Sequence, residues 1–166
     1  MATKASITAA QYLATPYERE PEFVRGELVE RSLPTFSHGD IQLEVGSRLR
    51  VLAREHRLYC GVEIRLRLAE DLYRIPDISL WTGPDRPAQV PASPPMLVVE
   101  VISPDDRLYD ILQKLDEYQA WGVEHIWLVE PELKQFHVYD HGSLREVHEL
   151  ELPQFGFRIT TADLFQ

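Results

Sequence analysis

A single cysteine, Cys60, stands among 166 residues. It cannot close an internal disulfide, so a reducing cytoplasm is the expected compartment. Long apolar runs are also missing. No stretch approaches the ~20 residues that cross a bilayer, so no membrane association is expected. Residues 1–15 carry one lysine and a short alanine-rich segment, which is not a signal-peptide pattern. Positive charge is scarce: 17 Lys and Arg face 27 Asp and Glu, a formal charge of −10. That argues against a surface coated for nonspecific nucleic-acid binding, because such affinity comes from neutralising phosphates. There is no strand–GxxxxGK–helix phosphate loop, and the six histidines lack compact zinc-ligand spacing. Internal repeats and low-complexity tracts are absent.

What is present suits one soluble globular domain spanning 1–166, at 44% hydrophobic and 27% charged residues. The arginines are unevenly placed. Residues 45–75 hold seven (Arg48, Arg50, Arg54, Arg57, Arg65, Arg67, Arg74) against Glu55, Glu63, Glu70 and Asp71. A local basic face and a set of solvated charges are both open readings of that excess.

The pattern predicts a helix over 9–14 capped by Thr8, then a hairpin over 22–31 turning at Arg25-Gly26. A second helix follows Ser37, with Asp40 three residues on as a weak capping box. Ile41, Val45, Leu49 and Leu52 give it one inner face. Strands are expected over 58–69, with Val62, Ile64, Leu66 and Leu68 inward, and over 73–82. Five prolines make 84–95 an irregular connector, so 73–82 and 96–103 should pair antiparallel. A third helix starts at Asp105 or Asp106 and stops at Gly122, with Leu108, Ile111, Leu112, Leu115 and Gln119 inward. Residues 125–129 read as a parallel return strand. A hairpin over 135–140 and 144–150 turns at His141-Gly142, and a short strand over 157–159 precedes a helical turn at 161–165. Cys60, Trp81, Trp121 and Trp127 read as packed residues. The sum is a mixed α/β sheet.

Residues 96–104, M-L-V-V-E-V-I-S-P, pose the chemical question. Glu100 interrupts an apolar strand, where an unpaired charge would cost several kcal/mol. Either it lies near solvent at the strand's end, or a cation or proton meets it. Asp77 lies in the expected neighbouring strand. Two carboxylates ~4 Å apart repel by roughly 4 kcal/mol at an effective dielectric near 20, so such a pair shares a proton or binds a hard cation. A turn-forming acid after Pro76 is the plain alternative for Asp77. Lys114 sits on the flank of the third helix, beside Arg107 and Tyr118. From there its ammonium can reach the sheet edge, although an ordinary exposed lysine fits too.

P-D-I-S-L-W, L-V-V-E-V-I-S-P-D-D, D-I-L-Q-K-L-D-E-Y and W-G-V-E-H-I-W-L-V-E-P occur in that order, after E-F-V-R-G-E-L-V-E and S-H-G-D. As an ordered set they resemble a large bacterial family of restriction-endonuclease-like proteins within the PD-(D/E)XK nuclease superfamily. The resemblance spans nearly the whole chain. It implies a restriction-endonuclease-like mixed β-sheet flanked by helices, with extra N-terminal and C-terminal hairpins. It implies an endonuclease that hydrolyses phosphodiester bonds, in DNA, using Mg²⁺ or Mn²⁺. Asp77 and Glu100 would be the metal-binding acids and Lys114 the catalytic lysine. Glu30 would be an extra ligand or water-positioning group, and Tyr118 a support for Lys114. His38 matches the family's histidine at the helix start, where its inward position favours a satisfied structural histidine.

Two departures stand out. The superfamily's usual lysine position, two residues after the acid, is Ile102, so the lysine must come from the following helix. Glu130 replaces an aspartate before proline, outside the proposed triad. A noncatalytic binding or assembly module on the same fold is the alternative function. Since small nucleases that cut duplexes often pair two sites, a homodimer is expected, joined through the strand-rich C-terminal half.

Overall fold

In the computed structural model, which describes residues 6–165, local sequence signals set most of the elements. Residues 1–5, the first part of the segment weighed as a signal peptide, lie outside that description. Helix α1 (Ala9–Ala14) begins at Thr8, whose hydroxyl accepts from the Gln11 amide while the Gln11 side chain accepts from the Thr8 amide. Strands β1 (Glu22–Val24) and β2 (Glu27–Val29) meet at Arg25-Gly26, both at positive φ as the tight turn requires. Helix α2 (Phe36–His56) starts earlier than expected. Thr35 is its N-cap, accepting from the His38 amide, so Ser37 and Asp40 lie inside the helix and form no capping box. Ile41, Val45, Leu49 and Leu52 are buried on one face, as their spacing predicts.

Both expected long strands are broken. Residues 58–69 divide into β3 (Tyr59–Val62) and β4 (Leu66–Ala69) at Glu63, whose φ of 50° kinks the chain and leaves Val62 exposed. Residues 73–82 divide into β5 (Leu72–Arg74) and β6 (Ile78–Trp81). Between them lies Ile75-Pro76-Asp77, where proline has no N–H for a ladder. Each break moves the chain from one sheet to another.

The proline connector carries no helix or strand and leads into β7 (Leu97–Val101), buried at all five positions. Helix α3 (Leu108–Trp121) ends as expected at Gly122, φ 113°. It is not capped by Asp105 or Asp106, because Asp106 instead accepts from the Ser103 amide at 2.7 Å and the Ser32 hydroxyl at 2.5 Å. Its inner face is Ile111, Leu112, Leu115 and Tyr118. Leu108 points outward, and Gln119 reaches sideways to Asp140. Then come β8 (His125–Glu130), β9 (Gln135–Asp140) and β10 (Ser143–Val147), the last two turning at His141-Gly142. The expected strand 144–150 stops at Val147. Strand β11 (Glu149–Leu152) pairs instead with β12 (Phe157–Thr160), which runs into the short helix α4 (Thr161–Leu164).

The central sheet has the order β10-β9-β8-β7-β6-β3, flanked by a four-stranded sheet β2-β1-β5-β4 and the pair β11-β12. β6 and β7 are antiparallel and β7 and β8 parallel, as predicted. α2 packs on Ile78, Leu80, Leu97, Val99 and Val101, while α3 packs on Val98, Ile126 and Leu128 across the sheet. Trp81 and Trp127 are buried, and Trp121, the last residue of α3, is half-buried against the core on that side of the sheet. Burial pushes the Cys60 thiol up to about 11, partly offset by nearby Arg50. No helix among the described residues is long and apolar enough to cross a membrane.

Candidate active site

The carboxylates come together because β6 ends where β7 continues. Ile78 lies opposite Val99, and the same register carried one step further sets Asp77 opposite Glu100. Beyond the end of β6, the Val101 N–H would lose its partner. Asp77 Oδ2 accepts that bond at 2.6 Å. Asp77 Oδ1 lies 3.1 Å from His38 Nε2, and His38 Nδ1 lies 3.0 Å from Ser103 Oγ. All three side chains are buried. Burial lowers the His38 pKa, but the hydrogen bond and charge of Asp77, with Glu100 and Asp106 behind it, outweigh that and raise it. His38 is thus a satisfied histidine, as its helix position suggested, and one that fixes a proposed metal-binding acid.

Glu100 answers the question its strand posed. Lys114 Nζ lies 2.8 Å from Glu100 Oε1, and the Tyr118 hydroxyl donates to the same oxygen at 2.7 Å. Tyr118 therefore supports Glu100 directly, rather than Lys114 as the resemblance implied. Burial is the main influence on Glu100 and pushes its carboxyl up from 4.5 to about 7. Asp77 and Glu22 push the same way, and Lys114 opposes them.

Lys114 has a second partner that sequence reasoning passed over. Glu22 Oε1 lies 2.9 Å from its ammonium. Glu22 also accepts from the Ile75 amide at 2.9 Å and from Arg74 at 2.8 Å, and Arg74 bonds Glu117 at 2.7 Å. Burial works against the Glu22 charge, but Lys114, Arg74 and the Ile75 N–H hold its carboxyl below the usual range. Burial likewise disfavours the Lys114 charge, while Glu100, Glu22 and Asp77 raise its pKa above the ordinary lysine value. This lysine is a fixed cation.

Glu22, His38, Arg74, Asp77, Glu100 and Lys114 line one cleft of about 250 Å³, together with Glu30, which is exposed at its rim. Arg31 spans from Glu63 at 3.4 Å toward Asp77 at 3.9 Å. Among the described residues no group of three or more His, Cys, Asp or Glu is arranged to hold a metal. The donor set present is two carboxylates, Asp77 and Glu100. That fits Mg²⁺, which commonly takes one or two carboxylates and fills its shell with water and substrate phosphate. The close donors of Glu100 both meet Oε1, and a carboxyl held near neutrality in an acidic pocket is one that a cation would ionise.

A crystal structure titled "putative nuclease belonging to DUF820", from Anabaena variabilis ATCC 29413, matches with a TM-score of 0.82 at 21% identity, covering 96% of this chain and 97% of that one. It shares the fold. No curated protein matches the chain. The family model described as "putative restriction endonuclease", Uma2, matches residues 9–162, and to that family the chain belongs.

Proposed function

We propose that this protein is a metal-dependent endonuclease that hydrolyses phosphodiester bonds in DNA, with Asp77 and Glu100 as ligands of Mg²⁺ or Mn²⁺. The observation that carries it is the meeting of Asp77, Glu100 and a doubly ion-paired Lys114 in one cleft. A cation bound there supplies Lewis-acid polarisation of the phosphoryl oxygen and lowers the pKa of a coordinated water. His38 and the Val101 N–H hold Asp77 in place for that role. Tyr118 and Lys114 engage Glu100 Oε1, which leaves Oε2 as the oxygen for metal. Lys114, kept protonated by its acids, serves as an electrostatic group for charge developing on the phosphate and not as a general base. Glu30, at the rim, positions water or substrate.

Nicking of supercoiled plasmid tests this, with Mg²⁺ or Mn²⁺, beside Glu100→Gln and Lys114→Met. The expected loss is on the order of 100-fold or more for each variant. Equal activity in wild type and variants sinks the assignment. The net charge of −10 favours a second reading, a noncatalytic module on the same fold. Calorimetric Mg²⁺ titration separates the two: heat lost in Asp77→Asn supports the enzyme, and no binding by wild type supports the module.

A further inference from the structure

A second groove, of about 490 Å³, lies at the other end of α2 from the cleft, between that helix, edge strand β3 and the proline connector. Arg50, Arg54 and Arg57 reach it from the last turns of α2 and its cap, and Arg86 from the connector. All four are exposed, and among the described residues none has an acid within 4 Å. Glu55 and Asp85, the acids beside them in the chain, pair with none of them. That is unusual in a chain with ten more acids than bases. Arg54 and Arg57 complement the negative end of the α2 dipole, but this does not account for Arg50, a full turn earlier, or for Arg86. The groove's wall adds an independent sign. Trp81 lines it, is 8% exposed, and has its indole N–H buried without an acceptor.

We propose that this groove binds the phosphodiester backbone of a nucleic acid, as an anchoring site separate from the cleft. Four unpaired guanidiniums around one groove match the planar, doubly accepting geometry of phosphate oxygens. The distance fits as well. From His38 at the cleft to Arg54 is about 24 Å along α2, roughly seven steps of a DNA strand. A nucleic acid of that length therefore reaches from one place to the other. The anchoring arginines offset the repulsion between a net acidic protein and its ligand. The seven arginines of residues 45–75 then divide: Arg48, Arg65 and Arg74 are paired with acids, Arg50, Arg54 and Arg57 are available to phosphate in the groove, and Arg67 is exposed on β4 outside it. The choice of DNA as ligand rests on the nuclease reading; the site itself does not.

The test is binding, measured by fluorescence anisotropy with a labelled 25-base-pair duplex in EDTA over a range of NaCl. Binding without metal keeps the result independent of whether the cleft cuts. Arg50→Gln/Arg54→Gln and Arg86→Gln are compared with Arg145→Gln, an exposed arginine on β10 outside both cavities. We expect the double variant to bind on the order of 10-fold more weakly, with the salt slope reduced by about 2, and Arg86→Gln to reduce it by about 1. Arg145→Gln should match wild type. All these side chains are exposed, and melting curves matching wild type establish that the variants are folded. Unchanged affinity and slope in the groove variants overturns the proposal, as does an equal loss in Arg145→Gln. Groove variants that bind DNA normally but dissociate a dimer in light scattering also overturn it, in favour of an acidic face of a second copy as the occupant. Failure of the wild-type protein to nick plasmid, with groove-dependent binding intact, would count against the cleft assignment alone.

Discussion

Two acids three ångströms from one lysine behave differently, and the difference is measurable. Glu22 is held charged by Arg74, Lys114 and a backbone N–H, while Glu100 is buried beside other acids and pushed to about 7. Below pH ~4.5 both folded and unfolded chains keep the Glu100 proton. From there to pH 7 the unfolded chain releases it and the folded chain does not, so stability from this group is lost as pH rises, by up to ~3 kcal/mol. Glu22 has the opposite sign: its contribution is present above the ordinary carboxylate range and is lost as pH falls. The comparison with Glu100→Gln isolates the first effect. In EDTA, the melting temperature of Glu100→Gln relative to wild type should climb between pH 5 and 7.5, and a flat difference would refute the assigned environment. Removing the lysine is harsher. Lys114→Met leaves buried Glu100 without a cation and Glu22 with Arg74 alone, and should cost about 3–5 kcal/mol in urea unfolding. Combining it with Glu22→Gln should recover at least about 1 kcal/mol of that, as a double-mutant cycle would show; additive losses would mean that the pair does not interact.

At the scale of elements, the start of α2 decides where His38 points, and so how Asp77 is held. Because Thr35 and not Ser37 accepts from the His38 amide, Thr35→Ala should lower stability by ~1 kcal/mol and Ser37→Ala by almost nothing. Equal losses would return the cap to Ser37. Helix and strand identities were legible where one period ran uninterrupted: Ile41, Val45, Leu49 and Leu52 on α2, and the apolar runs of β7 and β8. The breaks were not. At Glu63 the alternation of Val62, Ile64, Leu66 and Leu68 continues straight through a kink, because the side-chain pattern carries no record of a positive φ on a non-glycine residue. Pro76 did signal a break, but the apolar residues on either side outweighed it. The first helical turn of α3 misled in the opposite sense, since Leu108 has the right spacing for the core yet lies beyond the sheet it would cover. Asp77 and Glu100 were legible from an acid among apolar neighbours. Glu22 was hidden, because an acid at the start of a hairpin strand looks like ordinary surface. The available clue was its future partner: Lys114 is one of only three lysines, with Lys4 and Lys134, in a chain whose other bases are arginine.

Over the whole molecule, charge is divided between an acidic cleft and an arginine-lined groove. The exposed large apolar side chains gather early in the chain, with Leu33, Phe36, Leu43 and Val51 around α2, and Leu133, in the turn between β8 and β9, is the one beyond α3 among the described residues. The homodimer proposed from the strand-rich C-terminal half thus has less apolar surface there than its sequence suggested, and light scattering at micromolar concentration decides it. The charge division makes a firmer prediction. A phosphodiester entering the cleft without a cation meets Asp77, Glu22 and Glu100, with Lys114 already engaged by two of them. Glu100 contributes its charge only above its pKa of about 7. At pH 8 in EDTA, Glu100→Gln should therefore bind a duplex more tightly than wild type, by roughly 5-fold at low salt, since one like charge near ~4 Å is worth about 1 kcal/mol in the hydrated cleft. At pH 6 wild-type Glu100 holds its proton and the two proteins should bind alike. Raising NaCl to 0.2 M should shrink the pH 8 difference as the Debye length falls below about 8 Å. Anisotropy titrations at the two pH values check this, and a variant that binds more weakly than wild type at pH 8 would show that Glu100 helps to hold DNA without metal, contrary to its place in the proposed site.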